Sequence, residues 1–285
     1  MRSKCPTWRW LFHVVNHFLF PPICKNKKEA HIVLVGGGSI NWGGWPDYMF
    51  YEVIPVIWDF WPVYYNRIYR FIESNKVKTI IVTSYQTAEL LRKRFPYKHI
   101  FAITEGIKVS LYEEGKLLVN RRIDLLEYGR QNSNLPNINL PSDKYLHIKS
   151  RKGKRLFESE SMFIDALANS KVTLVFPRCI TNPETAGSIE TLTQRYWENM
   201  LSRVVMIGRA PQELIDLIGY NPVIEINQNC PQDQILDVID NISDYQEFVN
   251  HNRSVALKYS SWNSRVLSIE NFLTESGYSV RCDLI

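Results

Sequence analysis

The chain is predicted to be an α/β protein in which two successive parallel sheets face each other across a cleft. Three observations carry this. Short apolar runs alternate with helical stretches twice over, first up to residue 103 and again from residue 123, and such alternation implies βαβ units with parallel strands. The stretch from Thr104 to Asn120 breaks the alternation and marks a connection. The 285 residues suffice for two units that each bury a core.

In the first unit, His31-Ile32-Val33-Leu34-Val35 is a strand ending in Gly36-Gly37-Gly38. Ile54 to Trp58 is a second strand in spite of Pro55, Arg67 to Ser74 a helix, and Thr79 to Ser84 a clear strand. Gln86 to Phe95 is a helix closed by Pro96, and Ile100 to Ile103 a strand. The second unit begins with Ile123 to Tyr128, which runs into Gly129-Arg130 and a polar, Asn- and Pro-rich loop to Pro141. Strand Tyr145 to Ile148, helix Glu158 to Ser170 and strand Val172 to Phe176 follow. Then come helix Thr191 to Leu201, strand Val204 to Gly208, helix Pro211 to Ile218, strand Val223 to Ile226 and a mostly helical remainder from Pro231. The division is therefore 1–106 for a short first domain, 107–120 for the hinge and 121–285 for the second domain, whose last helices are available to pack back on the first.

Composition narrows the function. Hydrophobic content of 45% and charged content of 22% are those of a soluble globular protein. A net charge of +5 favours an anionic partner, but it is modest and no nucleic-acid motif accompanies it, so nucleic acid is not expected. Cys5, Cys24, Cys179, Cys230 and Cys282 are dispersed, without zinc spacing. They suggest reduced thiols in a cytoplasmic protein, and no metal site is expected. His13 and His17 have i,i+4 spacing but no third ligand, which favours an amphipathic face. Residues 1–24 are aromatic and apolar, yet Arg9, His13, Asn16 and His17 interrupt them, and the run is too short to span a bilayer. A helix packed on the protein and a peripheral helix at the inner face of a membrane both fit this segment.

The chemistry-bearing residues lie in the second unit. Gly129-Arg130 closes its first strand, Pro177-Arg178 closes the strand before the motif, and Thr185-Ala186-Gly187-Ser188 leads toward a helix start near Thr191. A helix start offers free backbone N–H groups to an anion, and the fork-shaped donors of Arg130 and Arg178 suit a diphosphate. Glu190 and Glu198 form an E-x7-E pair, about 12 Å apart along an ideal helix axis. That is the reach from the sugar to the nucleoside of a nucleotide sugar. Spacing alone is weak, because Glu105 and Glu113 share it in a loop with no basic residue arranged around a strand end. Arg195 suits a structural or solvated place, and the basic run Lys149 to Arg155 suits a solvated loop or a phosphate contact. Gly36-Gly37-Gly38 with Gly43-Gly44 does not match a dinucleotide fingerprint and is taken to line an acceptor cleft.

The run Glu184 to Glu198, with Gly129-Arg130 before it and Ala210-Pro211-Gln212-Glu213-Leu214 after it, resembles the donor half of retaining glycosyltransferases of the GT-B fold. Ile103-Thr104-Glu105-Gly106-Ile107 resembles that family's interdomain hinge, and Trp58-Asp59-Phe60-Trp61-Pro62 its acceptor-side loop. The resemblance implies two Rossmann-like domains facing across a cleft, the first reduced. It implies metal-independent, retaining hexosyl transfer from a nucleotide-diphosphate sugar to a carbohydrate or glycolipid hydroxyl, as in surface polysaccharide or glycoconjugate synthesis. Glu190 would contact the sugar, Glu198 the ribose and Arg130 the departing diphosphate. Arg178, Gly187, Ser188 and Thr191 complete the donor site, and Asp59 would orient or deprotonate the acceptor. The family's Lys shortly after Gly-Arg is absent, and Lys149 or the run 151–155 stands in for it. Two alternatives remain on the same fold: a non-catalytic subunit binding a partner or membrane, and a sugar-nucleotide epimerase.

Overall fold

A computed structural model describes residues 30–40, 51–130, 132, 134–150 and 156–279. The segment 1–24 with His13 and His17, the Gly43-Gly44 pair and the basic run 151–155 lie outside the described residues.

The first sheet contains β1 (Ala30–Gly36), β2 (Glu52–Trp58), β3 (Thr79–Val82) and β4 (His99–Ala102), all parallel and in sequential order. Its central β3 is Thr-Ile-Ile-Val with every residue buried, as a strand covered on both faces requires. Helix α1 (Tyr65–Ser74) buries Ile68, Phe71 and Ile72, an i, i+3, i+4 set on one face. Helix α2 (Tyr85–Arg94) starts where Ser84 Oγ accepts from the Thr87 amide at 3.5 Å.

The second sheet contains β5 (Ile123–Glu127), β6 (His147–Lys149), β7 (Ser170–Val175), β8 (Val205–Gly208) and β9 (Ile224–Glu225), all parallel, in the order β6-β5-β7-β8-β9. Strand order reverses at β5, with β6 on one side and β7 on the other. In such sheets the crevice outside the carboxyl ends at the reversal is where ligands bind. Helix α3 (Glu160–Ala168) precedes β7, and the four-residue helices α4 (Arg178–Thr181) and α5 (Pro183–Ala186) follow it. Then come α6 (Gln194–Leu201), α7 (Gln212–Ile218), α8 (Pro231–Asp240), α9 (Gln246–Tyr259) and α10 (Trp262–Glu275). Tyr196, Trp197, Met200 and Leu201 of α6 are fully buried and anchor that helix in the core. Gly208 closes β8 at φ 147°, and a Cβ there would sit 1.9 Å from the Val175 carbonyl oxygen, so only glycine fits.

The two units meet through the hinge and α10. The Ile107 amide donates to the Ser260 carbonyl at 2.8 Å, and Arg265 Nη2 donates to Thr104 Oγ1 at 2.7 Å. Helix α10 crosses onto the first sheet, where Leu273 is buried against Ile54, Val56, Ile81 and Ile103, and Phe272 stacks on Phe101 at 4.5 Å.

Two local expectations need correction. The motif helix expected from Thr191 begins at Gln194 instead, after an extended Thr193. The reason lies at the domain interface. Thr191 Oγ1 donates to the Thr83 carbonyl at 3.4 Å, and the Leu192 amide donates to Glu213 Oε2 at 2.7 Å, so this stretch is tied down in extended form. Gly187 and Ser188 therefore do not open a helix. Gly187, at φ 55°, terminates α5, and its amide donates to the Pro183 carbonyl.

Candidate functional site

The site is built on the carboxyl edge of β5. Gly129 turns the chain at φ 71°, and a Cβ there would lie 1.9 Å from Arg195 Nη2. The bare backbone lets Arg195 lie across the turn, where Nη1 donates to the Arg130 carbonyl at 3.3 Å and the guanidinium sits 5.1 Å from the Tyr128 ring centre. Arg130 itself is exposed, although neighbouring protein takes part of the water from its guanidinium. That desolvation lowers its pKa, and the charges of Arg178 and Arg195 lower it further. Three guanidinium groups thus share one region at the reversal of strand order, a collection that an anion would relieve.

Arg178 is the first residue of α4, just after β7. Its guanidinium covers the Trp61 ring at 4.7 Å, Nη1 meets Asp59 Oδ1 at 3.3 Å, and its buried Nε finds no partner among the described residues. Asp59 follows β2 at φ 52°, unusual for a non-glycine residue, and its Oδ1 also accepts from Trp61 Nε1 at 2.9 Å. A carboxylate of the first domain therefore neutralises an arginine of the second.

Beside this cluster lies a pocket of about 260 Å³, with Tyr128, Leu174 and Phe176 among its walls and Glu127, Arg130 and Lys149 as its charged groups. Lys149 Nζ donates to Asn137 Oδ1 at 3.0 Å and forms an ion pair with Glu127 Oε1 at 3.2 Å.

The glutamate pair is asymmetric. Glu190 lies in the loop between α5 and α6, so the helical estimate of its distance from Glu198 does not apply. Its carboxylate pairs with Arg209 and accepts from the Gln212 amide at 3.3 Å, while its own amide donates to Gln86 of the first domain at 3.0 Å. Glu198 sits on α6, where Oε1 accepts from the Tyr112 hydroxyl at 3.4 Å and Oε2 from the Tyr128 hydroxyl at 3.2 Å. Burial raises its pKa. Thr191 is buried at the interface, Gly187 approaches Pro62, and Ser188 is exposed, so these three do not join the arginine cluster through a helix start.

Two carboxyl groups escaped the sequence reading. Glu213, in the first turn of α7, accepts from the Tyr85 amide at 2.6 Å and the Leu192 amide at 2.7 Å. It thereby ties α2 of the first domain to the loop that carries Glu190. Glu105, set aside above as half of a chance pair, accepts from the Gln194 amide at 3.3 Å and lines a small void between the domains with Asp59, Ser84 and Thr191. The signal that pointed to it was its place in the hinge sequence. Burial raises both pKa values to about 7, with the Asp59 charge adding to the effect on Glu105. Both groups hold a proton more tightly folded than unfolded, so stability present at low pH is lost as pH rises from 4.5 through about 7. The melting temperature is expected to fall over that window, and Glu213→Gln to flatten the fall. A slope unchanged in Glu213→Gln would contradict the assignment.

Among the described residues there is no group of three or more His, Cys, Asp or Glu side chains that could hold a metal ion, and no helix long and apolar enough to cross a membrane.

No family model matches the sequence. No curated protein matches it either. Solved structures do match. Sucrose-phosphate synthase from Thermosynechococcus elongatus aligns with a TM-score of 0.57 at 11% identity, covering 95% of this chain and 77% of that one. Anabaena HepE, solved in complex with UDP and glucose, aligns at 0.55 and 9% identity, covering 85% and 78%. A glycosyltransferase from Rickettsia africae aligns at 0.51 and 11% identity, covering 96% and 83%. At these identities the likeness shows the fold: two Rossmann-like domains in the GT-B arrangement.

Proposed function

We propose that the chain is a retaining glycosyltransferase that moves a hexosyl group from a nucleotide-diphosphate sugar to a carbohydrate or glycolipid hydroxyl. The observation that carries this reading is the convergence of Arg130, Arg178 and Arg195 beside a pocket at the reversal of strand order. Arg130 and Arg178 neutralise the diphosphate as it departs, so that arginine charge, in place of a divalent cation, stabilises the leaving group. In taking the phosphate, Arg178 gives up Asp59, which then faces the acceptor hydroxyl. Glu190 accepts from sugar hydroxyls near the reacting carbon. Among the described residues Glu198 accepts one hydrogen bond at each oxygen, from Tyr112 and Tyr128, and a carboxylate oxygen has room for two, so it can also take a ribose hydroxyl. Attack comes from the face the leaving group occupied, and the leaving phosphate helps to take the acceptor proton. The UDP and glucose found with HepE agree with such a donor. The reading extends to surface polysaccharide or glycoconjugate synthesis at the inner face of the membrane, with the aromatic segment 1–24 as the peripheral contact.

The test is product analysis with UDP-, GDP- and ADP-hexoses, with and without sugar acceptors. Release of the nucleoside diphosphate with a product of unchanged anomeric configuration is expected. An inverted product would exclude retention, and an epimerised donor without diphosphate release would place the chain among sugar-nucleotide epimerases.

A further inference from the structure

The pocket beside β5 carries a polar pair that the transfer chemistry does not use. Glu127 ends β5 and is 6% exposed. Its Oε1 meets His147 Nε2 at 2.9 Å and Lys149 Nζ at 3.2 Å, while no hydrogen bond reaches Oε2 among the described residues. Lys149 Nζ donates to Asn137 Oδ1 at 3.0 Å and pairs with Glu127 through charge, which leaves donor capacity on the ammonium. Both residues line the pocket, whose other walls include Leu135, Leu174 and Phe176. A buried ion pair is weak evidence of stabilisation. Here it sets one acceptor and one donor side by side between apolar walls, the pattern of a recognition site. Arg130 lines the same pocket and joins it to the arginine cluster, so a nucleotide with its phosphates on the arginines has its base here.

We propose that Glu127 and Lys149 read the hydrogen-bonding edge of the donor's nucleobase and select guanine. This rests on the nucleotide-sugar reading above and adds the identity of the base. Guanine presents its O6 acceptor next to the N1–H and N2–H donors, which places O6 on Lys149 and both donors on Glu127. Uracil presents one N–H between two carbonyls, so one carbonyl oxygen faces the carboxylate. Adenine offers one amino donor and one ring acceptor, and makes one bond fewer. A site built to bond a particular edge rejects analogues that leave its buried groups unpaired.

Titration calorimetry with GDP, UDP and ADP on the wild-type chain and on Glu127→Gln tests this. GDP is expected to bind the wild type about tenfold or more tightly than UDP or ADP, the scale of one bidentate base contact. Glu127→Gln is expected to lose about tenfold for GDP and to change UDP little. UDP or ADP binding as tightly as GDP, or GDP binding unchanged by Glu127→Gln, would overturn the assignment of the base. Should the variant not fold, the wild-type ranking decides alone. Failure of all three nucleotides would instead overturn the nucleotide-sugar reading itself.

Discussion

Arg130→Ala is expected to weaken binding of a nucleoside diphosphate by about a hundredfold while leaving the melting temperature of the free protein nearly unchanged. The two halves of this expectation have one cause. Arg130 is held among like charges: desolvation, then Arg178 and Arg195, push its pKa down. In the absence of an anion these charges repel, Asp59 and Glu105 offset them only in part, and deleting one costs the fold little. With a diphosphate bound, the same charges face opposite charge in a partly desolvated cleft. There, truncating one partner costs roughly 2–5 kcal/mol. A structural arginine would behave in the opposite way, losing stability on truncation. Arg130→Lys is expected to recover only part of the binding, since an ammonium cannot present the guanidinium fork. The measurement is calorimetric titration alongside a thermal melt. A variant that melts early, or one that binds like wild type, would contradict the role.

Glu190→Gln is expected to lower the rate of sugar transfer by about 10²- to 10³-fold, the usual scale for one group aimed at developing charge, with nucleotide affinity within about threefold of wild type. The environment of Glu190 makes the variant informative. Gln can still accept from the Gln212 amide, so the α7 start stays capped, and the lost charge is opposite Arg209, whose side chain is 49% exposed. Solvent at Arg209 screens the pair, although the Glu190 side chain is only 12% exposed. If Glu190 served only to hold Arg209, Arg209→Ala would reproduce the loss of rate. A rate that falls in Glu190→Gln and not in Arg209→Ala places the carboxylate on the substrate. Full activity in Glu190→Gln would remove it from the site.

Much of the fold was legible in residue pattern. The four-residue all-buried strand Thr79–Val82 and the strand Ile123–Glu127 announce parallel sheets covered on both faces, and the break after Ile103 separates them. Pro55 was no obstacle in β2, which pairs with β1 along its length. What sequence could not supply was the interface. The helix expected at Thr191 starts at Gln194 because the Leu192 amide is taken by Glu213, and nothing local to either residue indicates that contact. Glu105 was dismissed for the same reason. Its environment is burial between the domains beside Asp59 and Gln194, respectively 46 residues before it and 89 after it in sequence. Position in a helix leaves Arg195 between a structural and a solvated place, and only the glycine turn at 129 shows why it lies across the end of β5. Residues at the end of their own strand, such as Arg130 and Arg178, can be singled out from sequence. Residues whose contacts depend on a distant partner cannot.

The central claim is that the arginine cluster at the end of β5 binds the diphosphate of a nucleotide. Calorimetric titration of GDP, UDP and ADP into the wild-type chain at two salt concentrations tests it most directly. The account expects saturable binding of one nucleotide per chain, weaker at high salt because charge supplies the attraction, and weakened about a hundredfold in Arg130→Ala. Absence of heat with all three nucleotides, or binding that survives Arg130→Ala undiminished, would contradict it.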